Sequence, residues 1–531
     1  MGDAPQRRSA RWMLVLVACA GAGTMAVELS AVRILAPWFG TSTGVWSNVI
    51  GVVLLALALG YYLGGTLARA SAPGLQLARV LLLAALGAAL TPFLAAPVAG
   101  LFLPSDLTLE QLTPLLHWGS LATSLLLFLP TALALGCVCP LALEIICRAG
   151  GGSAGNAGGR ILAWSTLGGL VGTFATTHLA VPNLGLRLTL LLAAAILGLP
   201  GLLLYLVRNG PRREPALFIV ALPLLALAPV RLGNAPPAGW EVLEERLSAL
   251  QNLRVVKRAD TDLRLLQVNE GLDSFQSVWQ PQAGLLPTGY YYNYFAAPAW
   301  WSRARGQWNV LLLGAGAGTA ARVISGCLPQ GATAAFVGVE LDPVVLELGR
   351  RWFDLDSPAQ ATDSMEAVVG DARAALQALG REGRRFDQIV LDAYANQSEI
   401  PAHLTSLEFF REARDCLGEN GWMMANVGAF GLADPLVEAV GHTLATAFQR
   451  PVLALRVPFA RNVILVARPQ DQAPEPGSES WPVRALAEIL GPLEVPGTWR
   501  WLDPLDEAPL TDDRSPTEML QARSLELGWQ L

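Results

Sequence analysis

The stretch Trp308-Asn309-Val310-Leu311-Leu312-Leu313-Gly314-Ala315-Gly316-Ala317-Gly318-Thr319 specifies the fold class. Its first half is a continuous apolar run of strand length, the pattern of a parallel strand buried on both faces. The glycines at 314, 316 and 318 then free the backbone for a tight turn, and Ala320-Ala321-Arg322-Val323-Ile324 continues as a helix. Strand, glycine turn and helix in that order open a doubly wound α/β sheet.

Further strands are predicted at 334–339, 366–369 and 386–391, and each ends in an acidic segment. These are Glu340-Leu341-Asp342-Pro343, Gly370-Asp371-Ala372-Arg373 and Asp392-Ala393-Tyr394. Upstream, 253–256 and 264–268 read as strands of a small β element leading into the sheet. Open α/β sheets bind ligands beyond the carboxyl ends of their strands, so position gives these acids their meaning. Gly314, Gly316 and Gly318 let the backbone approach a ligand. Glu340, roughly 20 residues on, suits the hydroxyls of a ribose. Asp371 suits an adenine amino group, with a simple turn role as its alternative, and Asp392 lies near the reacting centre. Asp342, beside Pro343, reads as a helix cap. A glycine turn alone also suits a dinucleotide, whereas the full series of strand-end acids points to an S-adenosyl ligand.

The N-terminal half is of another kind. The 531 residues are 53% hydrophobic and only 15% charged, with a mean hydropathy of +0.41. These averages exclude an ordinary cytosolic enzyme and a disordered chain. A net charge of −6 leaves no basic footprint for nucleic acid. Apolar runs at 12–36, 46–68, 78–101, 114–147, 161–181, 186–207 and 216–232 reach or approach the length that crosses a bilayer. Six or seven spans are therefore expected, with the last run interrupted by Pro223 and Pro229. Arg7, Arg8, Arg11, Arg69, Arg79, Arg148, Arg160, Arg208, Arg212 and Arg213 fall in alternate loops, which places the N-terminus in the cytoplasm. Seven full crossings would put the second half outside the cell, and this parity stays open. Glu28 and Arg33, in or at the end of the first run, suggest an ion pair or a polar path. Gly60–Gly65 and Gly168–Gly172 suggest close helix packing. The six cysteines are spaced for neither a disulfide framework nor a metal site.

The expected fold is thus a multi-pass α-helical membrane bundle followed by a doubly wound, mostly parallel α/β sheet. The divisions expected are 1–235 for the bundle, 236–300 for the β-rich lead-in, 301–470 for the nucleoside-binding domain and 471–531 for a C-terminal extension.

On these residues the chain resembles the spermidine synthases, or polyamine aminopropyltransferases. It is similar to their membrane-fused branch, labelled fused major-facilitator/spermidine synthase. The likeness rests on Glu28–Gly40, Trp46–Gly65 and Ser165–Gly185 in the apolar half. In the second half it rests on Ser248–Val255, Leu265–Ser277, the glycine turn, Glu340–Pro343, Gly370–Asp371, Asp392, Ile400–Ser406 and Leu510–Pro516. The resemblance implies aminopropyl transfer from decarboxylated S-adenosylmethionine, as co-substrate, to putrescine or a similar amine. It assigns Gln251, Glu340 and Asp371 to the nucleoside and Asp392 to the proton. It also overlays the segment 290–294 on the family's Tyr-His-Glu region, in a register left open, and suggests a homodimer; Tyr292, Tyr294 and Tyr394 are the candidate substrate-binding residues. The implied location is the cell membrane, with the α/β domain in the cytoplasm.

The sequence departs from that family where an acid of the glycine turn is replaced by Ala317 and the second acid after strand four by Ala395. By resemblance, those acids hold the two ammonium groups. Use of S-adenosylmethionine itself, as a methyl or aminocarboxypropyl donor, is therefore a standing alternative. So is a non-enzymatic transporter or sensor with a nucleoside-binding domain.

Overall fold

A computed structural model describes residues 3–39, 43–102, 112–149, 153–208, 224–225, 227, 238–248, 250–268, 275–359, 362–394, 400–470, 473–475, 495–505 and 509–527. The chain divides into two compact units. One comprises residues 1–235 with 247–251 and 269–272, and the other the remainder from 236 to 531.

The first unit is helical: α1 (Asp3–Phe39), α2 (Thr43–Ala68), α3 (Pro73–Gly100), α4 (Leu112–Gly136), α5 (Val138–Arg148), α6 (Ala154–Ala175) and α7 (Val181–Val207). Among the described residues, five helices are long and apolar enough to cross a membrane, rather than six or seven. The fifth, Ala154–Val207, contains 54 residues. At ~1.5 Å per residue it is more than twice as long as the ~30 Å core requires. It therefore takes up both runs expected at 161–181 and 186–207. Gly185 divides it at φ +76° and ψ 169°, just beyond a π-turn at Thr176–Ala180. The run at 216–232 lies almost wholly outside the described residues.

Small residues bring these helices together. A methyl group at Gly168 or Gly172 of α6 would collide with the backbone of Ala18 or Ala22 on α1. Gly60 and Gly64 of α2 lie equally close to Leu133, Gly136 and Cys137 at the end of α4. Of the charges in this half, Glu144 pairs with Arg148 at 2.7 Å. The same guanidinium donates to the Ala68 and Ala70 carbonyls, closing the C-terminal end of α2. Glu28 and Arg33 are half-buried in α1.

The second unit begins with a four-stranded sheet of β1 (Trp240–Leu247), β2 (Asn252–Arg258), β3 (Arg264–Val268) and β4 (Ser277–Trp279), in that order. A 3₁₀ turn (Tyr291–Ala296) and α8 (Ala297–Trp301) lead to β5 (Gly306–Leu313). There follow α9 (Thr319–Gly326), β6 (Ala332–Glu340), α10 (Pro343–Trp352), β7 (Ser364–Val369), α11 (Ala372–Arg381) and β8 (Phe386–Leu391). The chain continues through α12 (Leu407–Asp415), β9 (Leu417–Gly428), α13 (Pro435–Phe448), β10 (Val452–Arg456), β11 (Asn462–Ala467), β12 (Trp499–Leu502) and α14 (Thr517–Leu527).

The eight strands from β5 onward form one sheet in the order β12-β10-β11-β9-β8-β5-β6-β7. Strands β7, β6, β5, β8 and β9 run parallel, and β11, β10 and β12 add antiparallel pairings at the far edge. Alternation along β5 and β8 feeds two separate cores. Val310, Leu312 and Val390 pack on one face, and Leu311, Leu313, Ile389 and Leu391 on the other. Burial on both faces explains the unbroken apolar run of the opening motif. Because β6 lies on one side of β5 and β8 on the other, connections diverge between β5 and β8, the switch point where such sheets open a crevice.

Candidate active site

The turn after β5 needs its glycines for stated reasons. Gly314, Gly316 and Gly318 adopt φ of +94°, +53° and +99°, a region that side chains disfavour. A methyl at Gly314 would strike the Asp392 carbonyl. One at Gly316 would lie 2.7 Å from Ser277 Oγ, and one at Gly318 2.8 Å from Leu355 Cδ1. Ser277 Oγ accepts the Ala317 N–H at 2.8 Å, and Thr319 exchanges hydrogen bonds with the Val278 backbone. The turn is thus fastened to β4 on one side and to the end of β8 on the other.

Glu340 ends β6 directly against this turn. Its Oε2 accepts the Gly316 N–H at 3.0 Å and its Oε1 the Asp342 N–H at 3.1 Å. Burial pushes its carboxyl above the ordinary value, with these backbone donors opposing the shift. Asp342 is the cap of α10, accepting the Val344 N–H. Gly370 donates its N–H to the Glu340 carbonyl, tying the ends of β6 and β7 together.

Asp392 follows β8 at the switch point, and its N–H is held by the Leu313 carbonyl at 2.8 Å. Its Oδ1 accepts from Asn426 Nδ2 at 2.8 Å and its Oδ2 from the Tyr291 hydroxyl at 3.1 Å. Burial pushes this carboxyl up to about 6, against the pull of those two donors. Asn426, on β9, accepts in turn from Asn462 Nδ2 at 2.9 Å, and its backbone carbonyl takes the Tyr394 hydroxyl at 2.8 Å. The result is one half-buried carboxylate at a strand end, met by neutral donors and adjoining the glycine turn.

Asp371 caps α11 through the Arg373 and Ala374 N–H groups, and its Oδ2 lies 3.0 Å from His403 Nε2. Burial opposes its ionisation, but the bonds from Ala374, His403 and Arg373 outweigh that and hold the carboxyl below its usual range. Arg373 ties this corner to the C-terminal segment, with Glu412 at 2.8 Å and Asp512 at 2.7 Å.

The expected residues therefore separate. Gly314, Gly316, Gly318, Glu340 and Asp392 share the turn, and Gly370 and Asp371 occupy the adjoining end of β7. Gln251 lies in the segment 247–251, which groups with the helical unit. Of the tyrosines, Tyr291 reaches the Asp392 carboxyl; Tyr292 instead gives its hydroxyl to the Gln276 carbonyl at 2.6 Å. Tyr294 is 3% exposed within an apolar core. Tyr394 joins the network through Asn426. The side chain of Ala317 is sealed among Trp279, Val345, Leu348 and Phe353, so this position presents no charge to the rim. Ala395 lies outside the described residues. The sequence alone assigns no role to Tyr291, Asn426, Asn462 or His403. Asn426 has a signal there: it is the lone polar residue in the apolar run Trp422–Val427.

Comparison with known proteins bears on this geometry. Residues 302–472 match the spermine/spermidine synthase domain. The polyamine aminopropyltransferase of Mycobacterium tuberculosis (strain H37Rv) is 29% identical over 331 residues, covering 58% of this chain and 59% of that protein. The polyamine aminopropyltransferase of Vibrio vulnificus is 32% identical over 118 residues, 22% of this chain and 37% of that one. The chain thus spans 59% or less of the length of these relatives. Among solved structures, the spermidine synthase from Thermotoga maritima aligns with a TM-score of 0.33 at 14% identity, over 54% of this chain and 84% of that one.

Proposed function

We propose that the chain is a membrane-anchored aminopropyltransferase. It transfers an aminopropyl group from decarboxylated S-adenosylmethionine to putrescine or a similar amine and releases 5′-methylthioadenosine. The reading belongs to the membrane-fused branch of the spermidine synthases, with a bundle held in the cell membrane, the α/β unit on its cytoplasmic side, and a homodimer as the assembly. One observation carries it: a half-buried acid, Asp392, borders the same glycine turn that Glu340 grips through Gly316. The match of residues 302–472 and the names of the relatives support the same chemistry.

The reaction asks mainly for positioning. Glu340 receives the ribose hydroxyls and the glycine turn admits the nucleoside, with Asp371 beside the adenine. Asp392 orients the attacking amine and takes the proton released as the new C–N bond forms. The C–S bond breaks with its electron pair on sulfur, which leaves as a neutral thioether. A free alkylamine titrates near ~10.4, by analogy with lysine, so a nearby carboxylate that collects the proton directly assists attack. Holding both reactants in one crevice supplies several further kcal/mol.

The sealed, apolar surroundings of Ala317 favour a second reading in which the donor is S-adenosylmethionine itself, transferring a methyl or aminocarboxypropyl group. The test is product mass spectrometry on the purified full-length protein with each sulfonium donor and a panel of amines. Methylthioadenosine together with an amine heavier by one aminopropyl unit is expected. Methylthioadenosine with a carboxylated product, or S-adenosylhomocysteine, selects the second reading. Consumption of neither donor overturns both.

A further inference from the structure

Asp392 is oriented by two asparagines. Asn426 is 2% exposed and its Nδ2 lies 2.8 Å from Asp392 Oδ1, while its own Oδ1 accepts from Asn462 Nδ2 at 2.9 Å. Asn426 sits on β9 and Asn462 opens the neighbouring antiparallel strand β11, where Ile464 pairs with Asn426. The three polar groups thus cross from β8 through β9 to β11, the last step slanting by two residues along the ladder. An ionised carboxylate only accepts hydrogen bonds, whereas an amide has a donating end and an accepting end. The direction of the chain is therefore forced. With Asp392 ionised, Asn426 must turn its NH₂ toward the acid, and that leaves its carbonyl requiring a donor, which Asn462 supplies. A buried carbonyl without a donor is unfavourable, so Asn462 fixes which end of Asn426 the base meets.

We propose that Asn462 and Asn426 form a positioning relay that holds Asp392 ionised and aimed as the proton acceptor. This deepens the function proposed above and rests on it. The side chain of Asn426 acts on the base directly, and that of Asn462 acts only through Asn426. Tyr291 provides the second donor to Asp392, at its other oxygen. The titratable groups that face Asp392 are Tyr291 and Tyr292 from the 3₁₀ turn and Tyr394 from its own loop. Desolvation holds all three phenols well above their ordinary value, so they stay neutral wherever Asp392 titrates.

The decisive variant is Asn462→Asp in the full-length protein. A carboxylate at 462 cannot donate. It instead captures the Asn426 NH₂ and turns the Asn426 carbonyl toward Asp392, which reverses the relay. The acidic limb of the kcat/KM profile is expected to move up by one pH unit or more, with kcat down at least tenfold at pH 7 and the donor KM within twofold of native. Asn462→Ala, which removes the donor without supplying an acceptor, is expected to give a smaller displacement. A residue that mattered only for packing would lower activity at every pH and leave the limb in place, and that result overturns the relay.

A second measurement needs no turnover. The pH dependence of the difference in unfolding midpoint between Asp392 and Asp392→Asn proteins reports the titration of Asp392, and it is repeated in the Asn462→Ala background, which adds no charge of its own. An upward displacement there with no transfer activity in native protein supports the relay and refutes the proposed reaction. Transfer activity with no displacement supports the reaction and refutes the relay.

Discussion

Replacing Asp392 by asparagine preserves its shape and removes its charge, and the surroundings of the carboxyl set the size of the effect. The group is pushed from its ordinary 3.8 to about 6 in the folded protein. Below pH ~4 it is protonated whether folded or unfolded, so burying it carries no charge penalty. As the pH rises through the window from ~4 to ~6, the unfolded chain ionises first and stability falls; above ~6 the loss is complete. About two pH units correspond to about 3 kcal/mol at 1.36 kcal/mol per unit. Asparagine still accepts from Asn426 Nδ2, and its amide donates to the Tyr291 oxygen, so most of the hydrogen bonding survives. Asp392→Asn is therefore expected to be more stable than the native protein by up to about 3 kcal/mol at pH 7.5 and equal to it near pH 4. At about 2 °C per kcal/mol for a unit of this size, the apparent midpoint of the full-length protein in detergent should rise by roughly 6 °C at pH 7.5. Turnover should fall by about 10² to 10⁴, the usual contribution of a general base. Midpoints that coincide at pH 7.5, or differ equally at every pH, would falsify the raised carboxyl. Undiminished turnover would show that another group takes the proton.

Three further substitutions separate the parts of the crevice. Gly316→Ala forces a side chain into φ +53° at 2.7 Å from Ser277 Oγ; it should lower stability by about 1–2 kcal/mol and weaken methylthioadenosine binding at least tenfold, read by calorimetry. Glu340→Gln confronts one backbone N–H, of Gly316 or Asp342, with an amide NH₂. The same titration should show binding weakened by ~1.5–3 kcal/mol, and unchanged affinity would remove Glu340 from the nucleoside site. Ala317→Asp places a charge among Trp279, Val345, Leu348 and Phe353, and should destabilise by several kcal/mol without improving use of putrescine. A normally folded variant with faster putrescine turnover would mean that position 317 does open on the rim.

The strand ends were legible because parallel strands write their polarity in order: an apolar run, then the first polar residue at the carboxyl rim. Glu340, Asp371 and Asp392 each come after such a run, and the run alone locates them. The partners of Asp392 obey no such rule. Tyr291 is one of four tyrosines within five residues, and only the path of the 3₁₀ turn decides that it reaches the acid while Tyr292 turns to a carbonyl and Tyr294 enters the core. Asn462 lies 70 residues beyond Asp392 in sequence; the insertion of β11 between β9 and β10 brings it in, and nothing local announces that strand order. In the helical half the apolar runs gave the helices, but the count of crossings depended on Gly185. That residue breaks a stretch of 54 residues by its backbone angles rather than by any loss of hydropathy.

The choice of an amide at 426 has an electrostatic logic. A second carboxylate within hydrogen-bond reach of Asp392 would repel it and trap a proton between the two, leaving a poor base at neutral pH. Asn426, Tyr291 and, through the Asn426 backbone, Tyr394 surround the acid with donors that add no charge. Among the described residues, the rim around Asp392 thus meets the acid with neutral donors and no second carboxylate. One carboxylate can pair with one ammonium at a time, and a second buried cation without a partner is strongly disfavoured. In the proposed transfer, this arrangement discriminates by charge more than by length. It suits an acceptor whose reacting nitrogen arrives at Asp392 while any second ammonium stays in water, and it gives the distal end of a diamine no fixed anchor in the described part of the rim.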